Sequence, residues 1–221
     1  MSTIATRERR NTLDIICLDL EGVLIPEIWI GTAEKAGIDE LKATTRDIPD
    51  YDELMRFRLD LVERHDLRIQ NIQEVIDTLT PLDGAQGFLT QLRADYQVII
   101  LSDTFAQFAK PMMKQLDWPT IFCHELIIDD EGRITDYRLR QQDQKRKAVQ
   151  AFHGLNFNVV SAGDSYNDTT MLSESDAGIL FCPPQNVVDE FPQFPVTNNY
   201  EELRSEIDAA INRIHAANKA E

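Results

Sequence analysis

The sequence predicts an α/β chain: a doubly wound parallel sheet carrying an inserted helical cap and a small β-hairpin. Three observations point there. Short apolar runs rich in β-branched residues recur at 15–18, 98–101, 158–162 and 177–181, as strands buried on both faces require. Helical stretches separate them, and strand–helix alternation builds a parallel sheet. Three of the runs end on polar groups, at Asp19, Ser102 and Asp164, and open sheets place ligands at the carboxyl ends of their strands.

The elements follow in order. The first strand, 15–18, runs into Asp19-Leu20-Glu21-Gly22-Val23. From residue 32 to about 82 the pattern is helical. The stretch 51–62 spaces its apolar residues for one helix, and Ile69, Ile72, Val75, Ile76 and Leu79 do so for a second, with Pro49 and Pro81 as punctuation. Residues 31–82 are therefore expected as a helical cap, inserted into an α/β core made of 13–30 and 83–217. A helix over 85–94 leads to the strand 98–101, and a helix over 105–116 follows. Residues 126–137 read as a hairpin around an acidic, Gly-containing turn. A helix then starts near Asp143 and carries Lys145, Arg146 and Lys147. The strand 158–162 enters the loop 163–172, the strand 177–181 ends at Cys182-Pro183-Pro184, and an amphipathic helix over 200–217 closes the chain. No internal repeat or coiled coil is visible.

With 221 residues, 43% apolar and 27% charged, the chain can bury a sizeable core. Its formal net charge of −16 repels nucleic acid and anionic membrane surfaces, so neither is expected as a partner. An anionic substrate would need a metal ion or a positive side chain at its site. Cys17, Cys123 and Cys182 are scattered, with no CxxC pair, which argues against a disulfide framework or zinc site and fits a reducing cytoplasm. Residues 1–12 are charged and too polar for a signal peptide, and no segment is apolar enough to span a bilayer. A flexible N-terminal leader on a cytoplasmic protein is the expectation. The oligomeric state stays open, a homodimer included.

Asp19 and Glu21 lie two apart on an extended chain, so their side chains point the same way, and Gly22 lets the chain turn sharply past them. A carboxylate nucleophile with an acid/base partner could be built so. Right-handed crossovers would gather Asp19/Glu21, Ser102/Asp103 and Asp164/Asp168 on one sheet edge, with Lys145 on a helix entering the same region. Converging carboxylates repel one another unless a cation sits among them, and hard oxygen ligands suit Mg²⁺. Such a site, with a lysine, a hydroxyl and free backbone N–H groups, suits a phosphoryl group. Taken singly, Ser102 reads as a turn residue, residues 145–147 as a solvated helix face, and Arg58 as a surface residue. Joint placement argues otherwise.

Asp19-Leu20-Glu21-Gly22-Val23, then Ser102 after an apolar strand, then Lys145, then Gly163-Asp164-Ser165-Tyr166-Asn167-Asp168 resemble the four motifs of the haloacid dehalogenase superfamily of phosphatases. They stand in the expected order, with the cap inserted after the first. Pro26-Glu27-Ile28-Trp29 and Lys42-Ala43-Thr44-Thr45-Arg46-Asp47-Ile48-Pro49-Asp50-Tyr51 are similar to the bifunctional branch that acts as phosphoserine phosphatase and homoserine phosphotransferase. The resemblance covers residues 13–215. It implies a Rossmann-like core, Mg²⁺, phosphoserine as substrate, homoserine as a further acceptor, and a place in serine biosynthesis. It further implies that Asp19 attacks phosphorus to form an aspartyl phosphate, with Glu21 as acid and then base. Asp19, Asp164 and the main-chain carbonyl of Glu21 would hold Mg²⁺, with Asp168 supporting that shell. Ser102 and Lys145 would grip the phosphoryl oxygens, although Arg146 and Lys147 flank Lys145 and leave that position open among the three. Glu27 and Arg58 would read the amino and carboxylate ends of the substrate, and Asp103 and Asn167 would complete the pocket.

Glu21 departs from the superfamily pattern, where most phosphatases carry Asp. The extra methylene moves the acid/base group by about one bond length, which would accommodate an acceptor alcohol larger than water. The nearest rival is a phosphatase of the same superfamily with another small phosphorylated metabolite. A receiver-like phosphoacceptor or a binding module would share the acidic cluster, but a receiver would lack the cap. A serine esterase is disfavoured because Ser165 has no Gly-x-Ser-x-Gly elbow, and a P-loop kinase because no Gly-rich Lys-Ser/Thr loop is present. His65, His124, His153 and His215 show no metal spacing and read as structural or surface residues.

Overall fold

The computed structural model describes residues 13–44, 47, 48 and 50–219. The leader 1–12 lies outside the described residues, as do Thr45, Arg46 and Pro49 of the stretch preceding Tyr51. The chain runs β1 (Asp14–Leu18), α1 (Ile28–Ala36), a 3₁₀ turn (Asp39–Lys42), α2 (Tyr51–Arg64), α3 (Ile69–Ile76), α4 (Ala85–Asp95), β2 (Gln97–Phe105) and α5 (Ala106–Gln115). It continues through β3 (Thr120–Ile128), β4 (Ile134–Arg138), α6 (Gln144–Gly154), β5 (Asn158–Gly163), α7 (Thr169–Glu174), β6 (Ala177–Phe181), α8 (Gln185–Glu190), β7 (Val196–Thr197) and α9 (Tyr200–Ala217).

The strands form one sheet in the order β4-β3-β2-β1-β5-β6-β7. Every pairing is parallel except β3 with β4. Alternation along a strand sends successive side chains to opposite faces, and β1 feeds two separate cores in this way. Ile16 and Leu18 pack with Leu89, Phe108 and Ile207 on one face. Ile15 and Cys17 pack with Val149, Phe152 and Met171 on the other. This is the doubly wound α/β fold expected from the sequence. The hairpin is also present, and β3 extends back from it to Thr120, where it pairs in parallel with β2.

Between β1 and α4 the chain contributes α1, α2 and α3. Ile69, Ile72 and Ile76 of α3 share the apolar cluster of Phe105, Phe108 and Met112, so α3 packs on α5, and Trp29 of α1 meets Phe108 edge-on at 5.3 Å. The β3–β4 hairpin braces them from the side. Arg56 reaches Asp136 at 3.1 Å, the Tyr137 hydroxyl donates to Asp52, and the Ile69 N–H donates to the Gly132 carbonyl at 2.9 Å. Among the described residues no helix is long and apolar enough to cross a membrane.

Candidate active site

β1 sits at the point where the sheet order reverses, with β2 on one side and β5 on the other, and that crevice is where open α/β sheets hold ligands. Asp19 leaves β1 with its N–H still bonded to the Ala162 carbonyl of β5 at 3.0 Å, and its Oδ1 accepts the Leu20 N–H at 2.7 Å. Gly22 follows at φ +76°, and a Cβ there would run into the Asp164 carboxylate. That close approach is the physical reason for glycine at this position. Beyond β5, a 3₁₀ turn (Tyr166–Asp168) swings Asp168 back beneath the loop, where its Oδ2 accepts the N–H groups of Asp164 (3.0 Å) and Ser165 (3.1 Å).

Lys145, only 2% exposed, reaches in from α6. Its Nζ lies 2.7 Å from Asp168 Oδ1, 3.0 Å from Asp19 Oδ2 and 3.6 Å from Asp103 Oδ2. Arg146 turns away to Glu174 and Asp143 and Lys147 is exposed. Lys145 alone of the three faces Asp19. Burial would drive its proton off, but the surrounding carboxylates hold its pKa well above the ordinary value.

Asp19, Asp164 and Asp168 each offer a carboxylate oxygen, all within 4.8 Å of one another. Burial and then the charge of Asp168 push the Asp19 carboxyl well above its usual range. The same causes lift Asp164 to about 7. Three carboxylates, of Asp19, Asp103 and Asp168, contact the one ammonium, and Asp164 adds a fourth negative group to the cluster. Oxygen ligands with unmatched negative charge fit a hard divalent cation.

Ser102 and Asp103 arrive at the end of β2. Ser102 is buried and its Oγ accepts the Thr104 N–H at 3.2 Å. Asn167 donates to Asp103 Oδ2 at 3.3 Å. These groups open on a cavity of about 310 Å³, with Asp19, Glu21 and Ser102 at one end and Glu27, Trp29 and Arg58 in the same wall. A larger cavity of about 670 Å³ lies alongside and shares Tyr51, Asp103 and Asn167.

The far side of the smaller cavity is built by the helices between β1 and α4. Glu21 Oε2 accepts the Ile28 N–H at the start of α1, at 2.9 Å. The Arg58 guanidinium lies 4.9 Å over the Trp29 ring and donates through Nη2 to the Ala43 carbonyl at 2.8 Å. Its Nε is a buried donor with no partner among the described residues, a state that costs about 1–3 kcal/mol. Glu27 lines the same cavity, and burial, then the neighbouring Glu21, lift its carboxyl to about 8.

Asp19, Glu21, Glu27, Arg58, Ser102, Asp103, Asp164 and Asn167 line the cavity, Lys145 and Asp168 join the cluster at Asp19, and Arg146 and Lys147 lie outside it. Sequence reasoning assigned no role to Tyr51, whose hydroxyl donates to the Asp103 carbonyl at 3.0 Å, nor to His124 and Gln144, which also bear on Asp103. His124 was expected in a structural or surface setting. It is 4% exposed and sits beside the site. No local signal marks these three, because each comes from a different element.

The family model for haloacid dehalogenase-like hydrolases matches residues 13–176. The chain is 59% identical over 201 residues to the phosphoserine phosphatase ThrH of Pseudomonas aeruginosa, covering 91% of this chain and 98% of that protein. It is 57% identical to a phosphoserine phosphatase of Pseudomonas syringae pv. tomato, covering 91% of this chain and 85% of that protein. Among solved structures, a phosphoserine phosphatase captured as a phospho-aspartyl intermediate analogue superposes with a TM-score of 0.74 at 21% identity, covering 90% of this chain and 99% of that one. At that identity the likeness is one of fold.

Proposed function

The chain belongs to the haloacid dehalogenase-like hydrolases, and on that premise we propose that it is a Mg²⁺-dependent phosphoserine phosphatase that also passes the phosphoryl group to homoserine. The observation that carries the substrate is the pairing of Arg58 with Glu27 in the cavity that ends at Asp19. The Arg58 guanidinium lines the cavity with a donor unpartnered among the described residues and suits a carboxylate, and the Glu27 carboxylate of the same cavity suits an ammonium. A zwitterionic amino acid with a phosphorylated side chain meets both ends. The identity to phosphoserine phosphatases of two Pseudomonas species supports the same substrate.

In this reading Asp19 attacks phosphorus and the P–O bond to the seryl oxygen breaks, leaving an aspartyl phosphate. Glu21 gives its proton to the departing oxygen, then takes one from the acceptor, water or the homoserine hydroxyl. Lys145 and Ser102 hold the phosphoryl oxygens. Asp19, Asp164 and the Glu21 main-chain carbonyl would hold Mg²⁺, with Asp168 in support, and the ion would neutralise charge on the phosphoryl group. The helices of 31–82 act as a cap over the cavity, and Asp103 and Asn167 complete its wall. The Glu21 carboxylate is tied to α1, so Glu21→Asp, which draws the acid/base group back, is expected to raise hydrolysis relative to transfer. An unchanged product ratio would remove Glu21 length as the determinant.

The deciding experiment is product analysis with purified protein, Mg²⁺ and phosphoserine, with and without homoserine, beside Asp19→Asn. Phosphate release that partly gives way to phosphohomoserine, and that vanishes in the variant, is the expected result. Phosphate release indifferent to homoserine would leave a plain phosphatase. Absence of turnover would overturn the substrate.

A further inference from the structure

The register of β2 against β3 shifts between Leu101 and Phe105. Residues 102–104 therefore leave the regular ladder at the place where a phosphoryl group must be gripped, and their placement falls to side chains. Two buried side chains converge there. His124 of β3 accepts the Arg140 main-chain N–H at its Nδ1, at 3.1 Å. An amide N–H can only donate, so the neutral ring carries its proton on Nε2, and Nε2 faces Asp103 Oδ1 at 3.4 Å. Gln144, the first residue of α6, has its orientation fixed in the same manner. Its Oε1 accepts from Arg140 Nε at 3.1 Å and Nη2 at 3.0 Å. Its Nε2 must then point the other way, donating to the Ser102 carbonyl and to Asp103 Oδ1, the latter at 3.2 Å. Arg140 is itself held by stacking on Phe122, 4.9 Å from the ring.

The consequence is a division of labour within one carboxylate. Oδ1 of Asp103 is taken by His124 and Gln144, leaving Oδ2 to Asn167 at 3.3 Å and Lys145 at 3.6 Å. The Tyr51 hydroxyl holds the Asp103 carbonyl, and Gln144 holds that of Ser102. Against the effect of burial, Lys145, His124 and Gln144 keep the Asp103 carboxyl below its ordinary range, so the anion persists as an anchor.

We propose that His124 and Gln144 are positioning residues for phosphoryl transfer: they clamp Asp103, and through it fix Ser102 and the ammonium of Lys145 opposite Asp19. The inference rests on the phosphatase reading above. Neither side chain lines the cavity that holds Arg58 and Glu27, and both line the larger cavity alongside, so neither meets the amino-acid end of the substrate and their contribution is expected chiefly in kcat.

The experiment compares His124→Leu, Gln144→Met and His124→Gln with the unaltered protein, using phosphoserine and Mg²⁺ and recording kcat, KM and thermal midpoint. His124→Leu and Gln144→Met are expected to lower kcat about 10- to 100-fold, the effect of a small misplacement of groups that touch the reacting phosphoryl, with KM within about twofold. His124→Gln, whose amide can donate where Nε2 did, is expected to recover kcat to within about fivefold. Unchanged kcat, a loss confined to KM, or a rate loss that follows the thermal midpoint with no recovery in His124→Gln would overturn the positioning role. No turnover by the unaltered protein would instead overturn the phosphatase reading and this inference with it.

Discussion

The two ends of the 310 Å³ cavity are finished to different degrees. At the strand end, Asp19, Asp168 and Lys145 are buried and interlocked at 2.7–3.0 Å, and main-chain N–H groups occupy further carboxylate oxygens. At the helical end, a buried Arg58 N–H has no partner among the described residues, and burial and the neighbouring Glu21 lift the Glu27 carboxyl to about 8. In the proposed reaction the strand end would be preorganised for charge that develops on phosphorus, as electrostatic catalysis requires. The helical end is completed by whatever binds there. On the proposed reading, chemistry belongs to the interlocked cluster at the strand ends, and selectivity to the helices between β1 and α4.

Removing the nucleophile tests the strand end alone. Asp19→Asn keeps the shape and deletes the attacking oxygen anion, so phosphate release should fall at least about 10⁴-fold for phosphoserine and for a small aryl phosphate alike. Circular dichroism should show the fold retained. A fall for phosphoserine only would move the nucleophile elsewhere.

Removing the guanidinium should separate the two ends. Arg58→Met leaves the Asp19 cluster untouched and deletes the partner for a substrate carboxylate, so KM for phosphoserine should rise about 10²-fold. Turnover of an aryl phosphate, which has no amino-acid end, should change by less than about threefold. Equal losses on both substrates would mean that the ends are coupled and that the comparison drawn here is wrong.

A backbone change probes how tightly the strand ends must meet. Gly22→Ala places a methyl at φ +76° and against the Asp164 carboxylate. A left-handed non-glycine residue costs about 1–3 kcal/mol, and displacing Asp164 should weaken Mg²⁺ activation about tenfold. Denaturant melts and a Mg²⁺ titration of activity measure the two effects separately. A stability loss without a Mg²⁺ effect would take Asp164 out of the metal shell.

The same contrast explains what was legible in the sequence. The buried strands announce themselves as apolar runs, and Asp19, Ser102 and Asp164 follow them directly, so the strand end could be read from local pattern. The parallel half of β3, over 120–125, mixes Thr, Cys, His and Glu with its apolar residues and so lacks the uniform run of a central strand. β7 has two residues and α8 has six, too short for any period to register. Tyr51, His124 and Gln144 come from α2, β3 and α6 and meet only through tertiary packing around Asp103. Lys145 could not be told from Arg146 and Lys147 until α6 was oriented, when burial separated them.

The smallest expected effect is the most diagnostic of the helical end. Burial, then Glu21, lift the Glu27 carboxyl to about 8, so below that pH it is mostly neutral in the free protein. An ammonium of the substrate favours the ionised form, and binding must then release a proton. KM for phosphoserine should therefore rise about fivefold as pH falls from 8 to 7, and level off above 8. Glu27→Gln cannot ionise, so its KM should be higher at pH 9 and nearly flat over the same range. The aryl phosphate, lacking the ammonium, should show no such slope in either protein. A KM that rises with increasing pH, or a slope that survives in Glu27→Gln, would assign the ammonium to another carboxylate of the cavity and leave Glu27 outside recognition.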